Sequence, residues 1–120
     1  MSRKEEFLHA GKPTVVDLNG LWQVAAHGLV TPSNRFGDVK LIADGSGRNL
    51  LLGHKKWGFF TIEEGDDCLV LNYDHPRNPW LLRNIRDYVR LVEPDRMIGR
   101  FYYGGIPFFW FSMIRLSQED

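Results

Sequence analysis

The sequence predicts an all-β fold, a small antiparallel up-and-down barrel of about eight strands with a short N-terminal helix and one helical turn near residues 79–85. Three observations lead there. From Thr14 onward, short segments rich in Val, Ile, Leu and aromatic residues alternate with Gly, Asp, Asn and Pro at close intervals. The connections carry tight-turn chemistry, so consecutive strands run antiparallel. A meander of this many strands in 120 residues exposes two sheet edges unless it closes on itself, and closure removes them.

In chain order, Ser2-Arg3-Lys4-Glu5 has capping-box spacing, and Gly11 and Pro13 stop the helix that follows, over Arg3 to Ala10. Strands are expected near Leu21 to Gly28, Asp38 to Ala43, Asn49 to His54, Trp57 to Glu63, Cys68 to Tyr73, Arg86 to Val92, Met97 to Tyr103 and Ile106 to Leu116. Between them lie the turn segments Asp44-Gly45-Ser46-Gly47, Glu64-Gly65-Asp66-Asp67, Glu93-Pro94-Asp95-Arg96 and Gly104-Gly105. Asp74-His75-Pro76-Arg77-Asn78-Pro79 cannot continue a central strand, while Asn78 can cap a helix starting at Pro79.

Length fits a single domain over residues 1–120, large enough for a real core. With 15 basic and 15 acidic side chains, no overall cationic field recruits nucleic acid or anionic membrane, so neither is expected as a partner. No apolar run approaches the roughly 18 residues of a spanning helix. The charged start, without a signal-peptide core, makes the cytoplasm the expected compartment. Cys68 is the only cysteine and allows no internal disulfide.

Gly20-Leu21-Trp22 opens the first strand after the short helix, and Arg115 stands in the last. This pairing resembles the Gly-x-Trp signature of the calycin superfamily, which includes lipocalins and fatty-acid-binding proteins, and most nearly the compact lipocalin-like or nitrobindin-like barrels. The resemblance spans about Leu18 to Leu116. It implies that Arg115 lies across Trp22 and closes one end of the barrel, and that the lumen binds a small hydrophobic molecule. The chain departs from secreted lipocalins in its length and its missing disulfide, and Leu71-Asn72-Tyr73-Asp74 matches their middle motif only loosely.

Strand parity sorts the last three strands. With a four-residue loop at Glu93–Arg96, Val92 faces Met97; with a two-residue loop at Gly104-Gly105, Tyr103 faces Ile106. One face then collects Asp87, Val89, Leu91, Ile98, Arg100, Tyr102, Phe109, Phe111, Met113 and Arg115. The inward Arg115 that the resemblance implies makes this face the lumen. Asp87 and Arg100 there form either an internal ion pair or part of a ligand site, in which Arg100 and Tyr102 anchor a carboxylate or carbonyl while Phe109, Phe111 and Met113 hold the body. Small Ala26 and Gly28 above Trp22 leave volume for it. The opposite face, with Phe101, Tyr103, Phe108 and Trp110, needs cover from the helix, the Trp80–Ile85 turn or a second subunit of a homodimer.

Other chemistry is weaker. His9, His27, His54 and His75 lack zinc-site spacing, so no metal and no cofactor is expected. His54 and His75 are the positions from which a single histidine would hold a haem iron, as in nitrobindin-like barrels. Gly45-Ser46-Gly47-Arg48 reads as a hairpin turn rather than a phosphate loop. Glu63, Glu64, Asp66 and Asp67 read as a solvated acidic turn. Cys68 reads as a buried small hydrophobe. The arginines between Arg77 and Arg100 divide over two faces, unlike a nucleic-acid platform. The leading function is therefore binding of a small, largely hydrophobic molecule. Two alternatives stand beside it: a cyclase or isomerase using Asp87 as acid or base, and a barrel filled by its own side chains that serves as a structural or interaction domain.

Overall fold

The computed structural model describes residues 2–27, 39–51 and 55–117. Helix α1 (Arg3–His9) begins with the full capping box: the Glu5 amide donates to Ser2 Oγ at 3.1 Å, and the Ser2 amide to Glu5 Oε1 at 3.3 Å. A one-turn 3-10 helix at Val16–Leu18 leads into eight strands. These are β1 (Gly20–His27), β2 (Val39–Ala43), β3 (Ser46–Leu51), β4 (Lys55–Glu64), β5 (Leu69–Asn72), β6 (Ile85–Glu93), β7 (Arg96–Tyr103) and β8 (Ile106–Ser117). All neighbours are antiparallel, and β8 returns to β1 to close the barrel. Among the described residues no helix is long and apolar enough to cross a membrane.

Turn chemistry sets where the strands start. Asp44 and Gly45 both take positive φ, 53° and 82°, the two-residue hairpin geometry that matches strand twist. Ala43 therefore pairs with Ser46, and β3 starts three residues before its expected position. Its expected end at His54, the end of the first strand at Gly28 and the start of the second at Asp38 lie outside the described residues. The helical turn expected over residues 79–85 is shorter, a 3-10 turn at Trp80–Leu82. Asn78 does not cap it. Its amide nitrogen donates to the Phe59 and Tyr73 carbonyls (both 2.7 Å), and its oxygen accepts from the Phe59 amide (2.8 Å). Three bonds to β4 and to the end of β5 outcompete a single capping bond on an exposed turn.

The register of the last strands corrects the parity expectation. The β6–β7 connection is a two-residue turn with Glu93 opposite Arg96, and Val92 is an extra residue, so Leu91 rather than Val92 faces Met97. Tyr103 does face Ile106, but a second extra residue, Phe108, intervenes before Phe101 meets Phe109. The two bulges cancel across the three strands. β6 and β8 keep the expected lumen sets, while β7 alone turns over, sending Met97, Gly99, Phe101 and Tyr103 inward and Arg100 and Tyr102 outward.

The barrel end holding the β2–β3, β4–β5 and β6–β7 turns is filled. Leu18, Trp22, Ile42, Phe60, Leu69, Leu71, Met97 and Met113 are buried there and along the adjoining lumen. Two close approaches need glycine. A Cβ on Gly47 would stand 2.6 Å from the Phe60 ring, and one on Gly99 would stand 2.2 Å from Phe111. Each glycine yields its volume to the ring opposite.

Candidate functional site

Two clusters emerge where one was expected. The first lies inside the barrel. Leu71 and Asp87 are register partners on β5 and β6, as are Trp22 with Lys40 on β1 and β2, and Lys40 with Asn49 on β2 and β3. Alternation thus turns Lys40, Asn49 and Asp87 toward the same interior, and Tyr73, just beyond β5, joins them. All four are almost fully buried, none more than 4% exposed.

Their bonds form one network. Lys40 Nζ donates to Asn49 Oδ1 at 2.7 Å and to the Tyr73 hydroxyl at 2.6 Å, and it stands 3.5 Å from Asp87 Oδ2. Tyr73 donates its hydroxyl proton to the same Asp87 oxygen at 3.2 Å. Asn49 Nδ2 donates to Tyr73 Oη and to the Gly58 carbonyl. Gly58 sits at a bulge with φ 57°, where a Cβ would press on Asn49 Nδ2 at 2.8 Å, so this backbone step sets the asparagine in place. The ammonium group also lies over the Phe60 and Tyr73 rings, 5.2 and 5.3 Å from their centroids.

Asp87 Oδ1 is the exception: it is buried and has no hydrogen-bond partner among the described residues. Burial drives the Asp87 pKa above the ordinary aspartate value, and the Lys40 charge and the Tyr73 hydrogen bond oppose that shift without cancelling it. The carboxyl group thus holds its proton more tightly than a solvated aspartate. Around the cluster the lumen is apolar, with Val24, Phe101 and Phe109 partly buried beside it and Phe111 and Met113 fully enclosed. Phe101 and Phe109 stack at 4.6 Å, nearly parallel.

The expected lumen site is therefore split. Asp87, Phe109, Phe111 and Met113 face the interior, but Asp87 meets Lys40 rather than Arg100. Arg100 and Tyr102 lie on the outer wall instead. The Arg100 guanidinium packs 4.2 Å from the Trp110 ring, and Tyr102 packs on Tyr88 at 4.8 Å. Trp110 is covered there by Phe7 of α1, so the helix covers one member of the aromatic face, while Phe101 and Tyr103 are turned inward. Trp80, Leu81, Ile106 and Phe108 are exposed. Lys40, Asn49 and Tyr73 escaped the sequence reading. Lys40 alone had a signal, its alternation with Ile42, which puts a lysine on the face of an apolar residue.

Trp22 and Arg115 come together at the filled end. The guanidinium lies 4.2 Å from the Trp22 ring centroid and donates to the carbonyls of Asp17, Asn19 and Pro94 and to the Asp95 carboxylate. Trp22 is fully buried and its indole N–H donates to the Leu18 carbonyl at 2.8 Å. Cys68 is buried, and burial pushes its thiol pKa up, the opposite of an activated nucleophile. His54 lies outside the described residues, and His75 stacks on Phe59 in the loop before the 3-10 turn. Among the described residues no group of three or more metal-ligating side chains converges.

Fold and site together define a closed eight-stranded antiparallel barrel with a buried polar cluster in its lumen. Comparison with known proteins returns no matching family, no matching curated sequence and no matching solved structure.

Proposed function

We propose that the barrel, calycin-like in its Trp22–Arg115 pairing, binds a small and largely apolar molecule whose one polar end donates a hydrogen bond to Asp87. The observation that carries this reading is Asp87 Oδ1, without a partner among the described residues, in a lumen that is apolar beyond the Lys40, Asn49 and Tyr73 network. A buried acceptor without a partner costs about 1–3 kcal/mol, and more when charged, which a donating hydroxyl or N–H group would recover. Phe101 and Phe109 are the candidate walls for the ligand body, with Phe111 and Met113 below them. Arg100 and Tyr102 take no part.

Native mass spectrometry of the purified protein tests for a co-purified small molecule. A matched pair of probes tests the recognition: 2-naphthol, which carries a donor, and 2-methoxynaphthalene, which does not. Naphthol is expected to bind about tenfold more tightly, and Asp87→Leu to abolish that preference. Binding of neither probe, or an equal preference in the variant, would contradict the reading.

A second reading, a cyclase or isomerase, is favoured by one specific feature: a carboxyl group with a raised pKa beside a tyrosyl hydroxyl and an ammonium group. This set can deliver and retrieve a proton within one site. Isomerisation leaves mass unchanged, so a retained molecule that changes chromatographic retention on incubation, and does not with Asp87→Asn, would favour catalysis over carriage.

A further inference from the structure

A second groove lies on the outer wall, independent of the lumen. It encloses about 570 Å³ between β2, β3, β4 and the loop after β5, and Ser46, Arg48, Phe59, His75 and Arg77 are among its lining residues. No carboxylate is among the described residues that line it.

Three features give the groove its chemistry. Between the pairs Gly47–Phe60 and Asn49–Trp57, β4 carries one residue more than β3, leaving Arg48 without a direct partner across the ladder. Its Nε is buried with no acceptor among the described residues. On the opposite side, Asn78 pins the loop to β4 through both the N–H and the carbonyl of Phe59. The Phe59 ring carries the Arg77 guanidinium at 4.4 Å and the His75 ring at 5.7 Å. Finally, the Arg77 amide donates to His75 Nδ1 at 3.1 Å. An amide N–H can only donate, so this bond places the proton of the neutral imidazole on Nε2 as a further donor.

On other faces Arg90, Arg96, Arg115, Lys12 and Lys40 each stand within 4.0 Å of a carboxylate. Among the described residues neither Arg48 nor Arg77 has such a partner. Two guanidinium groups, an imidazole N–H and a hydroxyl on one concave surface match a tetrahedral oxyanion with several acceptor oxygens better than a planar carboxylate, which a single guanidinium fork satisfies.

We propose that this groove is a binding site for a phosphate group, carried on a small molecule or a lipid headgroup. The test is an NMR titration of the whole chain with inorganic phosphate at fixed ionic strength, with chloride and acetate as controls, beside sedimentation with vesicles of phosphatidylcholine with and without phosphatidic acid. Saturable shifts of Ser46, Arg48, Phe59 and His75 by phosphate and not by the controls are expected. Arg48→Gln and Arg77→Gln should each weaken binding about tenfold, while Arg100→Gln on the other wall leaves it unchanged. Phosphate binding without vesicle binding assigns a soluble ligand; sedimentation that needs phosphatidic acid and is lost in Arg48→Gln assigns a headgroup. No saturation by either probe, equal shifts with chloride, or indifference to both substitutions overturns the site. The titration of the unsubstituted protein decides this even if a variant folds poorly.

Discussion

Replacing Lys40 by methionine removes the ammonium group 3.5 Å from Asp87 Oδ2 while roughly preserving side-chain volume. Asp87 is then left with the Tyr73 hydroxyl alone, since Oδ1 has no partner to begin with. Breaking a buried pair on one side strands the remaining charge, at a cost of about 3–5 kcal/mol. For a chain of this size that lowers Tm by roughly 10–20 °C. The double variant Lys40→Met/Asp87→Leu removes both charges and is expected within about 1 kcal/mol of the parent, because an apolar pair needs no desolvated partner. The pH dependence has a definite sign. Asp87 titrates near 3.8 when unperturbed and higher in the fold. Its contribution to stability is therefore complete below the unfolded value and is lost as pH rises through the folded one. Lys40→Met removes the opposing charge, raises the folded value further and extends the loss to higher pH. Urea unfolding followed by tryptophan fluorescence at several pH values measures all of this. A single variant that loses less than about 1 kcal/mol, or a double variant no better than the single, would refute the reasoning.

Further expectations follow from the same geometry. Gly99→Ala drives a methyl group into the Phe111 ring and should destabilise by about 1–3 kcal/mol; Phe111→Leu in the same chain should recover part of that in chemical denaturation. Arg115→Ala removes donors to three backbone carbonyls and the Asp95 carboxylate and uncovers Trp22. It should cost about 2–4 kcal/mol and shift Trp22 emission to the red, and unchanged emission would show that the guanidinium does not shield the ring. Arg100→Ala should perturb Trp110 on the outer wall and leave probe binding in the lumen unaltered; loss of that binding would return Arg100 to the interior.

The fold was legible because its signals are local and repeated. Tight turns at Asp44-Gly45, Pro94-Asp95 and Gly104-Gly105 separate apolar strands, and Ser2 with Glu5 announces α1 at four residues' range. The polar cluster was only partly legible. Asp87 was placed on the correct face because two bulges offset each other, whereas Arg100 and Tyr102 sit between those bulges and were inverted. A bulge is one residue in a strand of otherwise ordinary composition: Val92 and Phe108 look like any other strand residues, yet each reverses every side chain beyond it. Lys40 and Asn49 meet across one hairpin, but Tyr73 and Asp87 come from the end of β5 and from β6 and reach them only because the curved sheet turns all four toward one axis. No pattern within a single segment reports that.

Asp87 is a carboxyl group deprived of hydration inside the barrel. Selective carbon-13 labelling of aspartate carboxyls, followed by NMR titration, reads its state directly. A midpoint clearly above the ordinary 3.8, raised again in Lys40→Met, is the predicted result. A midpoint at or below that value, insensitive to the lysine, would contradict it.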